Sequence, residues 1–234
     1  MSNFFSVAIP TYGYNGVGTE LLDFNLNKLY LQTFKDFEVI ISDHSIDNTI
    51  KDLCEKWTDK LNIKHSFNDR GRGIISPNIN ESMKKCEGEW IKILFQDDFL
   101  YDENSLDNQY KFIKGKDNLT WFVSEFYHTH DGMSFYNHYF PRWNDKIWTG
   151  HNTMGCPSGI TIKNKDLIFF DEELNWLMDC DYYQKMFEKY GEPDILNKIT
   201  VVNRTSGSRL TNTLGQEIKD RESIIVHKRY EKTT

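Results

Sequence analysis

The sequence predicts an α/β sandwich built on a mainly parallel sheet, and three observations carry that expectation. Apolar runs of strand length alternate with segments of helical periodicity from Phe4 to Ile113. Polar clusters at Thr11-Tyr12, Asp43-His44, Arg70-Arg72 and Asp97-Asp98 each follow such a run or its loop, at the carboxyl ends where these sheets bind ligands. No repeat or low-complexity linker divides the chain, which favours one continuous domain over residues 1–234.

Each element follows from its own pattern. Phe4 to Ile9 is a short apolar run closed by Pro10, and it predicts a buried strand. Leu21, Leu22, Phe24, Leu26, Leu29 and Tyr30 recur at mostly helical spacing, so Glu20 to Thr33 is expected to be a helix. Phe37 to Ser42 is a second buried strand, followed by a polar turn at Asp43 to Thr49. Ile50, Leu53 and Trp57 mark a helix over Thr49 to Leu61, and Ile63 to Phe67 a third strand. The glycines between Arg70 and Gly73 read as a loop, Pro77 to Cys86 as a helix and Trp90 to Phe95 as a fourth strand. Beyond this, Ser105 to Ile113 and Asp179 to Tyr190 predict helices, and Leu119 to Phe126 and Gly159 to Ile162 strands. A charged helix is expected from Glu217 onward.

Composition narrows the class of function. A formal net charge of −7 argues against a nucleic-acid surface, which is usually marked by clustered Lys and Arg. The four cysteines are widely separated with no CxxC pair, so neither a zinc site nor a disulfide framework is indicated, and a reducing compartment fits. No apolar run approaches the roughly 18 residues of a membrane span, and the first residues lack the pattern of a signal peptide. A cytoplasmic location is the resulting expectation, and the sequons at Asn118 and Asn203 read as accidental. Aromatics make up 15% of the chain and crowd between Trp121 and Trp148, where they serve either a core or a sugar-binding surface.

Two adjacent acids after an apolar strand, Asp97 and Asp98, stand where a hard divalent cation can bind, because Mg2+ and Mn2+ take oxygen ligands and need few carboxylates. The same pair also suits a solvated turn or a helix cap, and neighbouring carboxylates on an extended chain point different ways. One is expected on a metal and the other on a ribose hydroxyl. His128, His130, His138 and His151 suggest a second metal cluster, but nothing else in their spacing supports zinc, and a polar pocket or surface role is expected. The Arg204 to Arg209 stretch reads equally as a loop closing over a diphosphate and as an ordinary flexible loop.

Four segments in order carry a resemblance. Ser6 to Tyr12, Gln32 to Asp43, Asn80 with Gly88-Glu89-Trp90-Ile91, and Gln96-Asp97-Asp98 resemble the nucleotide-binding half of family 2 glycosyltransferases. Asn152 to Gly159 and Met178 to Asp181 resemble that family's acceptor half, so the similarity covers residues 4–190. The resemblance implies the GT-A fold, a Rossmann-like doubly wound mixed sheet with helices on both faces. It implies a nucleotide-sugar half at 1–105, an acceptor half at 106–214 and a C-terminal helix at 215–234. It also implies an inverting, metal-dependent enzyme with Mn2+ or Mg2+ as cofactor, a nucleotide-sugar donor (UDP-linked as first expectation) and a glycan acceptor, in surface polysaccharide or lipopolysaccharide synthesis.

By the same resemblance Pro10, Thr11 and Tyr12 line the nucleobase pocket, and Asp43 is the family's acid after the second strand. The next position, commonly a second Asp, is His44, which leaves the base open. Phe95 replaces an earlier acid of the metal motif, so Asp98 is the expected metal ligand, with Asp97 assisting or holding ribose. Asn80 matches a family Asn at the nucleotide, but Ile79 replaces its usual Arg neighbour, so Arg70 or Arg72 is expected to supply charge near the phosphates. Asp179 matches the catalytic base that takes the acceptor's proton, and Asp181 is the alternative. If the helix begins at Asp179, the two acids lie about 200° apart around its axis and only one can face the site. The residues themselves leave open a cap role for Asp179. A sugar nucleotidyltransferase and a non-catalytic carbohydrate-binding module are the competing readings. The first would want Arg and Lys in a Gly-rich loop, which Gly13 to Gly18 lacks.

Overall fold

The hydrophobic run after Asn3 forms β1 (Phe5–Thr11), every residue of which is buried. Its alternate side chains feed two cores: Phe5, Val7 and Ile9 point to one face of the sheet and Ala8 to the other. The computed structural model describes residues 3–205 and 214–231, apart from the side chain of Asn15. Pro10 does not end the strand as its residue type suggested. Pairing with the fourth strand stops at Ala8, so a residue without an N–H is tolerated two positions later.

Among the described residues nine strands form one sheet, with order β3-β2-β1-β4-β8-β6-β9-β5 and β7 attached to β6. The parallel part consists of β1, β2 (Phe37–Asp43), β3 (Ile63–Phe67) and β4 (Trp90–Ile93). The remainder is mixed: β5 (Phe99–Leu100), β6 (Trp121–Thr129), β7 (Phe135–Tyr139), β8 (Ile160–Lys163) and β9 (Asp194–Arg204). β8 runs antiparallel to both β4 and β6, whereas β9 runs parallel to β6 and antiparallel to β5. The sheet is therefore less parallel than the sequence rhythm suggests. Strands β5, β7 and β9 were not foreseen.

Helices cover both faces. On one lie α1 (Val17–Tyr30), α2 (Thr49–Trp57) and α4 (Ser105–Ile113), which contribute Leu22, Leu26, Ile50, Leu53, Trp57 and Leu106 to its core. In α2 the buried residues Ile50, Leu53, Cys54 and Trp57 fall at i, i+3, i+4 and i+7, an amphipathic stripe. Trp57 Nε1 donates to Asp23 Oδ1 at 2.7 Å and ties α2 to α1. On the other face lie α3 (Ile75–Lys84), α5 (Met178–Tyr190) and α6 (Gln216–Tyr230), with Ile79, Met83, Tyr182, Met186 and Val226. Each fully buried large apolar side chain contributes about 1.5–3 kcal/mol relative to exposure. Pro77 lies in the first turn of α3, where its missing N–H costs no helical bond, so the helix starts before it. Among the described residues no helix is long and apolar enough to cross a membrane.

Candidate active site

The strand order reverses at β1: β2 and β3 lie to one side of it and β4 to the other. Such a switch point opens a crevice beyond the carboxyl ends of the two diverging strands. Gln96 bridges it, accepting the Tyr12 N–H at 2.8 Å on Oε1 and donating from Nε2 to the Gly18 carbonyl at 2.5 Å. Gly18 is required here, since a Cβ would stand 1.9 Å from the Tyr12 carbonyl oxygen. Thr11 is buried and donates to the Ser42 carbonyl, whereas the Tyr12 ring is 45% exposed and packs edge-on against Tyr14. Burial and then the charge of Asp97 raise the pKa of the Tyr14 phenol, which places that ring beside the acid.

The two acids of this turn sit in different environments. Asp98 is 1% exposed, and its Oδ1 accepts the Asn203 side-chain amide and the Arg204 N–H, both at 2.9 Å. The Ser158 hydroxyl also supports this carboxylate. Burial, and then the neighbouring Asp97 charge, raises the pKa of Asp98 well above the carboxylate range. Asp97 is only partly buried, and its carbonyl accepts Arg204 Nε at 3.2 Å. Through Oδ1, the Asp98 carboxylate fastens the turn to β9. Beneath it lies Lys92, fully buried, donating to the Ser158 carbonyl at 2.5 Å, with its pKa pulled down to about 7 by burial.

At the end of β2, Asp43 is buried, with Oδ1 accepting the Ser45 N–H at 2.8 Å and Oδ2 lying 3.0 Å from His65 Nε2. His44 is also buried, its Nε2 lying 3.1 Å from the Arg70 carbonyl and 3.2 Å from Asn68 Nδ2. Burial holds His44 below its usual pKa and so favours the neutral ring. Pro10, the register partner of Ser42, lies between these groups and the switch point.

Two further residues expected at the nucleotide have partners within the chain. Asn80 donates to the Phe170 carbonyl at 2.9 Å and to Glu172 Oε1 at 3.2 Å, and accepts the Phe170 N–H at 2.9 Å. That buried amide pins the 170–172 segment. The Arg70 guanidinium is paired with the Glu172 carboxylate, so its charge is already partly answered. Arg72 is exposed.

Asp179 lies in the first turn of α5, inside the helix rather than at its cap, which is Leu177. Its Oδ2 accepts Asn152 Nδ2 at 2.7 Å and its Oδ1 the Cys180 N–H at 2.7 Å. Burial pushes its pKa above the ordinary range despite these hydrogen bonds. Asp181, the alternative base, is fully buried, with Arg229 Nη1 at 2.5 Å, the Tyr230 hydroxyl at 2.8 Å and Lys185 Nζ at 2.7 Å. One loop joins Asp179 to the acid turn. At one end Asn152 holds Asp179; at the other the Ser158 hydroxyl accepts the Phe95 N–H at 2.9 Å and supports Asp98. Gly155 sits mid-loop at φ 86°, where a Cβ would meet Phe126 Cζ at 2.4 Å. Beside Asn152 a cavity of about 630 Å³ opens, lined by residues that include Arg142, Trp143, His151 and Thr153.

Among the described residues no cluster of three or more His, Cys, Asp or Glu side chains is arranged to hold a metal. His128 meets the Asn137 carbonyl, His130 the Thr205 carbonyl and His138 the Glu125 carboxylate, so they form no common centre. A partly exposed carboxylate at the switch point fits a hard cation that takes its other oxygens from a diphosphate and water. Of the Arg204 to Arg209 loop, Arg204 ends β9 with its guanidinium over the Phe24 and Phe99 rings, and residues 206–209 lie outside the described residues. Gln96, Asn152, Ser158 and Lys92 went without individual roles in the sequence, although the first three stand inside the resembling motifs.

Comparison with known proteins gives this geometry a family. Residues 6–187 match the sequence model described as Glycosyl transferase family 2. A poly(ribitol-phosphate) beta-N-acetylglucosaminyltransferase, TarS, from Staphylococcus aureus (strain Mu50 / ATCC 700699) is 36% identical over 106 residues, 44% of this chain and 18% of that protein. A validoxylamine A glucosyltransferase from Streptomyces hygroscopicus subsp. jinggangensis is 39% identical over 66 residues, 27% of this chain and 15% of that protein. The matches thus span less than a fifth of these relatives, at 18% and 15% of their lengths. The crystal structure of S. aureus TarS 1-349 with UDP-GlcNAc superposes with a TM-score of 0.67 at 22% identity, over 92% of this chain and 62% of that one. A mannosyltransferase from Pyrobaculum calidifontis, in complex with GDP-Man and Mn2+, gives 0.63 at 14% identity, over 100% and 66%. The fold is GT-A, and the chain belongs to glycosyl transferase family 2.

Proposed function

We propose that the chain is an inverting glycosyltransferase that moves a sugar from a nucleoside diphosphate sugar, UDP-linked in the first instance, to a hydroxyl of a glycan acceptor. The observation that carries this reading is the 152–159 loop, which holds Asp179 through Asn152 and the acid turn through Ser158. A base and a donor-binding turn fixed to one loop is the arrangement a single displacement needs.

In that displacement the acceptor oxygen attacks the anomeric carbon, and the bond from that carbon to the diphosphate oxygen breaks. The electron pair leaves with the diphosphate, and the acceptor proton passes to an Asp179 oxygen. The raised pKa of Asp179 makes it a better proton acceptor than a solvated carboxylate. Asp97 would hold a divalent cation, Mn2+ or Mg2+, with Asp98 behind it as the fastener of the turn. A cation bound there supplies neutralisation of the charge developing on the leaving diphosphate. Tyr12 offers an exposed ring for the base, backed by Asp43 and His44. The acceptor enters by the cavity flanking Asn152, whose lining residues His151 and Thr153 are that residue's chain neighbours.

The neighbours support parts of this. TarS was solved with UDP and with UDP-GlcNAc and is named a beta-transferase, which from an α-linked donor means inversion. The mannosyltransferase with GDP-Man and Mn2+ keeps a guanine donor in the test. The acceptor in TarS's name suggests a surface polymer as the product class here. Free cysteines suit a reducing, cytoplasmic site.

The test measures nucleoside diphosphate released from UDP-GlcNAc, UDP-glucose and GDP-mannose with Mn2+, with and without Asp179→Asn. Turnover of at least one donor that Asp179→Asn abolishes is expected. No release from any donor, or full release by the variant, would sink the reading.

A further inference from the structure

Three successive backbone N–H groups just ahead of α5 converge on one carboxylate from the far end of the chain. Glu222 Oε1 accepts the Asn175 N–H at 2.9 Å, and its Oε2 accepts those of Trp176 and Leu177 at 2.8 and 2.9 Å. The Glu222 side chain is fully buried, and Leu177 is the cap of the helix that carries Asp179. Consecutive N–H groups of this kind form an anion nest, and charge-assisted bonds to it are among the stronger hydrogen bonds. Here an internal carboxylate fills it.

The same helix grips α5 a second time. Seven residues beyond Glu222, about 10 Å along a helix, Arg229 and Tyr230 bind Asp181, and Arg229 Nη2 reaches Asp171 Oδ2 at 2.8 Å. Asp179 therefore lies between two fastenings, one at residues 175–177 and one at Asp181, both made by the rigid rod of α6. None of Glu222, Arg229 and Tyr230 lines the cavity beside Asn152.

We propose that Glu222 is a positioning residue for the proton acceptor, and that α6 aims the first turn of α5 rather than merely covering the sheet. The inference rests on reading Asp179 as the base. Its physical basis is that small displacements of a reacting group cost rate steeply, on the order of 100-fold per ångström, while donor affinity resides on the other side of the site.

The test uses the full chain and whichever donor is turned over above, with UDP titration counting the binding-competent sites. Glu222→Gln and Glu222→Ala are expected to lower kcat per UDP-binding site about tenfold, with donor KM within about twofold of the parent. Added acetate is expected to restore part of the Glu222→Ala rate in a saturable way by refilling the nest. If Glu222→Ala does not fold, Glu222→Gln and Tyr230→Phe carry the test, the second with a loss of about threefold in kcat. Unchanged kcat per site in the Glu222 and Tyr230 variants, while Asp179→Asn is inactive, overturns the inference and leaves the base assignment standing. An active Asp179→Asn overturns both.

Discussion

Asn152 donates its side-chain amide to Asp179 Oδ2 at 2.7 Å, while its own Oδ1 receives the Met154 and Gly155 N–H groups at 3.0 and 2.8 Å. The loop thus fixes which way the amide points, and the amide fixes the carboxylate. Asn152→Ala is expected to lower kcat about tenfold with little change in donor KM. Asn152→Asp would set a like charge against Asp179 and move the acidic limb of the rate profile upward. Steady-state kinetics over a pH series checks both.

Burial raises the pKa of Asp179, and a base works only when deprotonated. The inactive protonated form therefore persists to higher pH than for an ordinary aspartate. The acidic limb of kcat is expected above the usual carboxylate value of about 4. A pH–rate profile flat down to that value would contradict the assignment.

The two neighbouring acids are expected to fail in different ways. Asp97→Ala should cost about 100-fold or more in turnover, with weakened Mn2+ dependence. Asp98→Ala strips the partners from Asn203 and the Arg204 N–H and should cost about 2–4 kcal/mol of stability. Asp98→Asn keeps an acceptor oxygen and should lose less. Thermal melts beside UDP-release assays separate the cases.

Asn80→Ala is expected to behave as a stability variant. It would leave the Phe170 N–H and carbonyl buried without their partner, at about 1–3 kcal/mol. Donor KM should stay within about twofold. A large rise in donor KM at unchanged Tm would return Asn80 to the nucleotide site.

The parallel half of the sheet is legible because each strand there is a short apolar run with clear breaks; β3 and α4 even keep the bounds their patterns predict. β9 escapes because Asn197 and Lys198 interrupt it, and its register with β6 shifts between Ser124 and Phe126, so no period of two survives in its sequence. The unequal burial of Asp97 and Asp98 was hidden for the same reason. Which of two adjacent carboxylates is buried depends on the strand that covers one of them, and that strand was unseen. Asp181 was open for the same kind of reason, since one of its two cations, Arg229, lies on α6 at a separation of 48 residues. Asp179, by contrast, stands in a motif that singles it out, and only its partner Asn152 needed the structure.

The bond between Asn203 and Asp98 joins residues 105 positions apart. A nascent chain that has emerged only as far as Leu106 already contains β1, the acid turn and most of the nucleotide-facing residues, yet nothing to receive the Asp98 carboxylate. The turn is thus completed only once β9 has emerged and slots between β6 and the two-residue β5. Such long-range closure slows folding. It also means that residues 1–105 expressed alone would carry the acids without the strand that holds Asp98.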